Sequence, residues 1–229
     1  MGTKLVVGAD RGIGLCIATE LHERGDDTLA ACLGDGEELA AAGIAVAPRV
    51  DVTSEQAVNG LVDHLRGQEI ELDWVLHVAG VLSLDELDTF DFEEVRREFE
   101  INTIGPLRLV RAVLPFLSDG GKIGIVTSRV GSLGDNTSGE MYAYRISKAA
   151  ANMAGLNLSL DLRDRGIAVL MLHPGMVATD LTKDLGGEYA TAQYIQPDQA
   201  AHGLIANMDG LTLATAGRFQ HSNGDYLPW

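Results

Sequence analysis

Lys4-Leu5-Val6-Val7-Gly8-Ala9-Asp10-Arg11-Gly12-Ile13-Gly14 is a short apolar run that reads as a core strand, followed by three glycines and a helical pattern beginning at Ile13. Glycine at Gly8, Gly12 and Gly14 permits a tight turn and lets the backbone come close to a ligand. The helix that follows begins with N–H groups that have no helical acceptor, and its dipole favours an anion, so the turn suits a phosphate or pyrophosphate. Asp10, Arg11 and Ile13 lie inside the turn and join the glycines as candidate contact residues.

The same rhythm continues along the chain. Apolar, β-branched runs at residues 4–7, 28–32, 44–50, 74–78, 122–127, 167–172 and 217–221 read as strands. Helical patterns at 13–24, 55–66, 93–117, 143–165 and 197–208 fall between them. Strands apolar throughout, alternating with helices, argue for an α/β fold: a doubly wound, seven-stranded parallel sheet with helices on both faces, one domain over residues 1–229. Ser54 and Asp198 stand where a cap or first-turn residue belongs. Residues 179–196 break the rhythm: they are rich in Gly and Thr and carry Leu181, Leu185, Tyr189 and Tyr194 without helical spacing. A loop of that length is expected to be functional, here as a segment that closes over a substrate.

Composition removes several classes of function. With 33 acidic residues against 17 basic ones, the net charge of -16 repels nucleic-acid backbones and anionic membranes. No apolar run approaches the ~18 residues of a spanning helix, and the first residues lead directly into a core strand, so a cytoplasmic protein is expected. Cys16 and Cys32 fall in a helical pattern and a strand and read as buried thiols, and no metal site is expected. His77, at the end of a buried strand, reads as a structural histidine.

Tyr144-Arg145-Ile146-Ser147-Lys148 places a phenol and an ammonium four residues apart, on one helix face. A free tyrosine titrates near pH 10, and a cation within ~4–6 Å favours its phenolate, which brings the group toward general acid–base work. This pair, the G-x-x-x-G-x-G spacing of residues 8–14, Ser128 at the end of the fifth strand and Asn102 after Glu100-Ile101 together resemble the short-chain dehydrogenase/reductase family. The segments Ser128-Arg129-Val130-Gly131-Ser132, Gly134 to Ser138, Tyr142 to Arg145 and Leu227-Pro228-Trp229 are most similar to its C-factor-like members.

The resemblance implies a Rossmann-type NAD(P)-dependent oxidoreductase that interconverts a secondary alcohol and a ketone. Tyr144 would handle the proton, Ser128 would orient the substrate oxygen, Lys148 would support Tyr144 and hold the nicotinamide ribose, and Asn102 would work through its backbone and a water. Ser132 is the fallback for Ser128, because the turn-rich segment 134–139 lengthens the serine-to-tyrosine spacing. For the cofactor the resemblance implies contacts from the glycine turn, Asp51 and Val52 near the adenine, Ala79 and Gly80 after the fourth strand, and Pro174, Gly175, Val177 and Thr179 beside the nicotinamide. For Asp51 an ordinary exposed strand-end residue is an equal alternative. Two positions depart from the family pattern: Val7 stands where a Thr is usual, and His77-Val78 where two Asn are usual. Packing is therefore expected to take over the task of tying these loops together.

The second strand ends Ala31-Cys32-Leu33, with no carboxylate for a ribose 2′-OH, and Arg11 can pair with a 2′-phosphate; both tilt the choice toward NADP over NAD. Asp35 and the general negative charge weigh against it. Val81, Leu82, Arg129, Met176, Leu181 and Tyr189 are the expected pocket, mostly apolar and suited to a hydrophobic or aromatic carbonyl. A small-molecule substrate and a homodimer or homotetramer are implied, and a catalytically silent NAD(P)-binding signalling or scaffolding protein is the alternative.

Overall fold

The computed structural model describes residues 2–186 and 192–229. Its seven strands are β1 (Thr3–Val7), β2 (Thr28–Ala31), β3 (Ala45–Ala47), β4 (Leu72–His77), β5 (Leu117–Val126), β6 (Ala168–His173) and β7 (Phe219–His221). They form one sheet in the order β3-β2-β1-β4-β5-β6-β7, every neighbouring pair parallel. The helices are α1 (Gly12–Glu23), α2 (Glu37–Ala41), α3 (Glu55–Gly67), α4 (Phe92–Phe99), α5 (Gly105–Val113), α6 (Tyr142–Asp161) and α7 (Pro197–Asp209).

Strand residues alternate between two cores, as the two-residue period of a strand requires. Leu5, Val75, Ile123 and Val169 pack with α3, α5 and α6 through Leu61, Leu65, Leu109, Val113 and Leu156. Val6, Leu76, Val126 and Leu170 pack with α1 and α7 through Ile17, Leu21, Leu204 and Met208. Strand order reverses between β1 and β4, and the crevice at their carboxyl ends is where a doubly wound sheet binds its ligand.

Several expected boundaries move. The third strand stops at Ala47, because Pro48 cannot donate to the ladder and Arg49 turns to φ 60°. The helix expected over residues 93–117 is broken: α4 runs into a π-turn at Glu100–Ile104, α5 follows with Pro106 in its first turn, and a 3₁₀ turn at Leu114–Phe116 releases the chain into β5. The helix expected at 143–165 ends as α6 at Asp161, and a 3₁₀ turn at Arg163–Arg165 completes it before Gly166 (φ 72°). The short helix α2 was not expected. Tyr189 of the expected pocket lies outside the described residues.

Candidate active site

Each glycine of the first turn is required by its surroundings. Gly8 has φ 83°, and a Cβ there would lie 2.6 Å from the Ala79 nitrogen; a Cβ on Gly14 would lie 2.1 Å from the Gly8 carbonyl oxygen. Gly12 sits at φ 56° and faces Thr179. The first turn of α1 has no side-chain cap and no acidic residue, so its N–H groups remain available to an anion. Val7 and Val78 do not leave the floor to packing alone: the Val78 and Ala79 N–H groups both donate to the Val7 carbonyl, at 2.8 and 3.1 Å. Main-chain bonds thus supplement the packing expected where the usual polar side chains are missing.

A cleft of about 1120 Å³ opens above this floor. Gly8, Asp10, Arg11, Gly12, Ile13 and Gly14 line one part of it, with Asp51 and Val52 at one end and Ala79, Gly80 and Thr179 further along. Glycines whose Cβ would collide, together with a bare helix N-terminus, fit a dinucleotide. Beyond β2, which ends without an acid, Asp10 accepts the Leu33 and Gly34 N–H groups, both at 2.8 Å, and so sets a carboxylate there. Asp51 spends one oxygen on Thr53, through the backbone N–H at 2.9 Å and the hydroxyl at 2.7 Å. Arg108 and Glu100 hold the adjoining Val52, since Arg108 donates to the Val52 carbonyl at 2.5 Å and to Glu100 at 2.6 Å.

Ser128, Tyr144, Lys148 and Asn102 are all buried. The Lys148 ammonium donates to the Val126 carbonyl at 3.1 Å and stands 5.6 Å from the centre of the Tyr144 ring. A Cβ on Gly80 would lie 3.1 Å from Asn102 Oδ1 and 3.2 Å from Lys148 Nζ, so both reach the turn after β4. The Asn102 amide brackets Val81, accepting its N–H and donating to its carbonyl, each at 2.9 Å, and donates to Ser147 Oγ at 2.9 Å. Pro106 has no N–H to give the Asn102 carbonyl four residues back, so the π-turn leaves that oxygen without its α-helical donor.

Electrostatics departs from the sequence expectation at one point. Burial pushes the Tyr144 phenol well above its usual value, a Ser128 hydrogen bond works against that, and Glu98 adds to it. Burial brings Lys148 down to about 8, with Glu98 opposing. By the protein's own groups, desolvation therefore outweighs the cation beside the ring. His77 is pushed down to about 3, first by burial and then by Lys148, but its Nε2 has no hydrogen-bond partner among the described residues, unlike the satisfied structural histidine expected. Burial raises both thiols, Cys32 to about 11, and among the described residues no cluster could hold a metal.

Other expected residues are placed as follows. Pro174 and Gly175 follow β6 and lie outside the cleft lining, although His173 just before them accepts the Arg129 N–H at 3.3 Å and so couples that turn to the residue after Ser128. Val177 is buried and bridges to Ile195. Val81, Leu82 and Leu181 line the cleft with Leu185 of the expected closing segment, joined by Leu84 and Arg97, which the sequence reading missed. Arg129 pairs instead with Asp135, and Met176 accepts a backbone bond from Ile195, both away from the cleft lining. Ser132 caps the turn at Asp135.

A parallel sheet with a phosphate-suited turn at its switch point and a buried Ser-Tyr-Lys group defines a nicotinamide-dependent oxidoreductase fold. The chain belongs to the short chain dehydrogenase family, whose profile matches residues 3–190. It is 61% identical over 229 residues, all of both chains, to 1-hydroxy-2-glutathionyl-2-methyl-3-butene dehydrogenase of Rhodococcus sp. (strain AD45). It is 43% identical over 161 residues to C-signal of Myxococcus xanthus, covering 69% of this chain and 93% of that one, in keeping with the C-factor-like expectation. Its backbone is similar to that of the NADPH-bound carbonyl reductase from chicken fatty liver, with TM-score 0.89 and 26% identity over 100% of this chain and 94% of that one.

Proposed function

We propose that the chain, acting as one domain, oxidises an alcohol to a carbonyl, or reverses that reaction, with Tyr144 exchanging the proton, Ser128 holding the substrate oxygen, and Lys148 and Asn102 supporting Tyr144. The observation that carries the reading is the burial of these four side chains, which stand behind the cleft lining and meet it where Lys148 and Asn102 reach Gly80, next to the Ala79 that packs on Gly8. NAD(P), when bound, supplies or takes the hydride. Lys148 would grip the nicotinamide ribose, and the Asn102 carbonyl, which Pro106 gives no α-helical donor, would hold a water that passes the proton outward.

For the substrate, identity of 61% along the whole chain supports an alcohol beside a glutathionyl thioether. The name of that relative gives a primary alcohol, which broadens the secondary alcohol and ketone expected from sequence. Leu82, Leu84, Leu181 and Leu185 would cover the hydrocarbon part, as the apolar-pocket expectation requires. Of the segment 179–196 expected to close over it, residues 187–191 lie outside the described residues, and Leu181 and Leu185 of the described part line the cleft.

Cofactor choice lies between two side chains of one turn. Arg11, exposed at the cleft, would pair with a 2′-phosphate and tilts the protein toward NADP, the form bound in the chicken enzyme. Asp10 opposes that phosphate and keeps the preference small.

Titration with reduced cofactor, followed by a panel of glutathionyl alcohols and simple carbonyls, tests the reading. Turnover supports it, and binding without any turnover rejects it in favour of a second reading. That reading is a cofactor-binding signalling protein, favoured by the similarity to C-signal. We further read the enzyme as cytoplasmic and as a homodimer or homotetramer built on α5 and α6.

A further inference from the structure

Between β4 and α4, residues 81–85 pass the mouth of the cleft, and every second one is tied by hydrogen bonds to another part of the chain. Asn102 brackets Val81. Ser83 donates both its N–H and its hydroxyl to Glu98 Oε1, each at 2.5 Å. Asp85 accepts the Tyr142 and Ala143 N–H groups, at 2.5 and 3.1 Å, and so caps α6 two residues before Tyr144. The residues between the anchors, Leu82 and Leu84, line the cleft, whereas Ser83 and Asp85 do not.

Glu98 is the unusual anchor. It stands four residues before Asn102, so α4 and the π-turn carry both anchors on one side. It is fully buried, at 0% exposure, and its Oε2 has no hydrogen-bond partner among the described residues. A glutamate in such a place is costly unless it does something an apolar residue cannot. Burial pushes its carboxyl above the usual range while the two Ser83 bonds hold it back. What an apolar residue would lack is the acceptor for Ser83.

We propose that Glu98 is the positioning residue of the substrate wall: its grip on Ser83 holds Leu82 and Leu84 toward the cleft and sets the affinity for the apolar part of the substrate without touching it. The proposal rests on the oxidoreductase reading of the site. Glu98→Gln keeps an acceptor for Ser83, Glu98→Ala removes it, and Ser83→Ala removes the hydroxyl while leaving the interior untouched.

The expected result is a rise in substrate KM of about tenfold for Glu98→Ala and about threefold for Ser83→Ala, with kcat and cofactor Kd within about twofold and Glu98→Gln close to wild type. Amide exchange at residues 82–85, measured without substrate, should speed up in Glu98→Ala and stay slow in Glu98→Gln. A fall in kcat at constant KM, or a Glu98→Gln that behaves like Glu98→Ala, would mean that Glu98 acts by its charge on Lys148 and Tyr144, and would overturn the proposal. Unchanged exchange in Glu98→Ala overturns it as well. If Glu98→Ala does not fold, Ser83→Ala carries the same two readouts. The kinetics use whichever alcohol or carbonyl the wild type turns over. A wild type that turns over none defeats the oxidoreductase reading separately, and the exchange data still decide whether Glu98 holds the loop.

Discussion

Lys148 is a charged group kept where burial opposes its charge. Its pKa of about 8 lies below the usual lysine value, so between roughly pH 8 and 10.5 the unfolded chain binds more protons than the folded one. Stability from this group therefore rises with pH across that window, and at neutral pH the buried ammonium is a net cost. Lys148→Met should raise Tm at pH 7, flatten that pH dependence and cut turnover by about 100-fold or more. Thermal melts at pH 7 and 10 check it, and a lower Tm at pH 7 would contradict it. Asp10→Asn removes the charge while keeping an acceptor for one of the Leu33 and Gly34 N–H groups, and should shift the NADPH-to-NADH affinity ratio toward NADPH by about tenfold. Fluorescence titration reads the ratio, and no change would show that Asp10 does not face the 2′-position. At this scale the sequence was legible where partners are local: Tyr144 and Lys148 meet through helix spacing. Asp10 was legible as a residue of the cofactor turn but its bond to Leu33 was not, and neither were Asp85 and Glu98, which bond to Tyr142 and Ser83, because the chain brings these partners together only on folding.

Among the elements, strands and most helices were readable because their apolar periods are long and unbroken. The exception is the pattern at 93–117, where apolar spacing continues across a break that hydrogen bonding imposes. Pro106 removes one donor, the chain widens into the π-turn at Glu100–Ile104, and Asn102 is presented there. Pro106→Ala restores the N–H to the Asn102 carbonyl and should lower kcat by about tenfold, with cofactor Kd unchanged and Tm no lower. Steady-state kinetics with a binding titration decide this, and an unchanged kcat would remove the Asn102 carbonyl from the proton path. The short helix α2 escaped notice because its five residues are too few to show a period.

Across the whole molecule, the parallel sheet and its switch point followed from alternation of strand and helix, and no helix among the described residues is long and apolar enough to cross a membrane. What the linear pattern conceals is surface. Leu107 on α5 and Ile146, Met153 and Leu160 on α6 are exposed apolar side chains on the two helices proposed to join subunits. Light scattering should give a dimer or tetramer, and Met153→Glu with Leu160→Glu should give a monomer. A monomeric wild type would contradict that assembly.

The central claim, that Tyr144 drives hydride-transfer chemistry on an alcohol or carbonyl, is tested most directly by Tyr144→Phe, with reduced-cofactor absorbance followed during turnover and cofactor Kd measured on the same protein. The account predicts that cofactor binding stays within about threefold while turnover falls by about 1,000-fold or more. A variant that still turns over at the wild-type rate would contradict it.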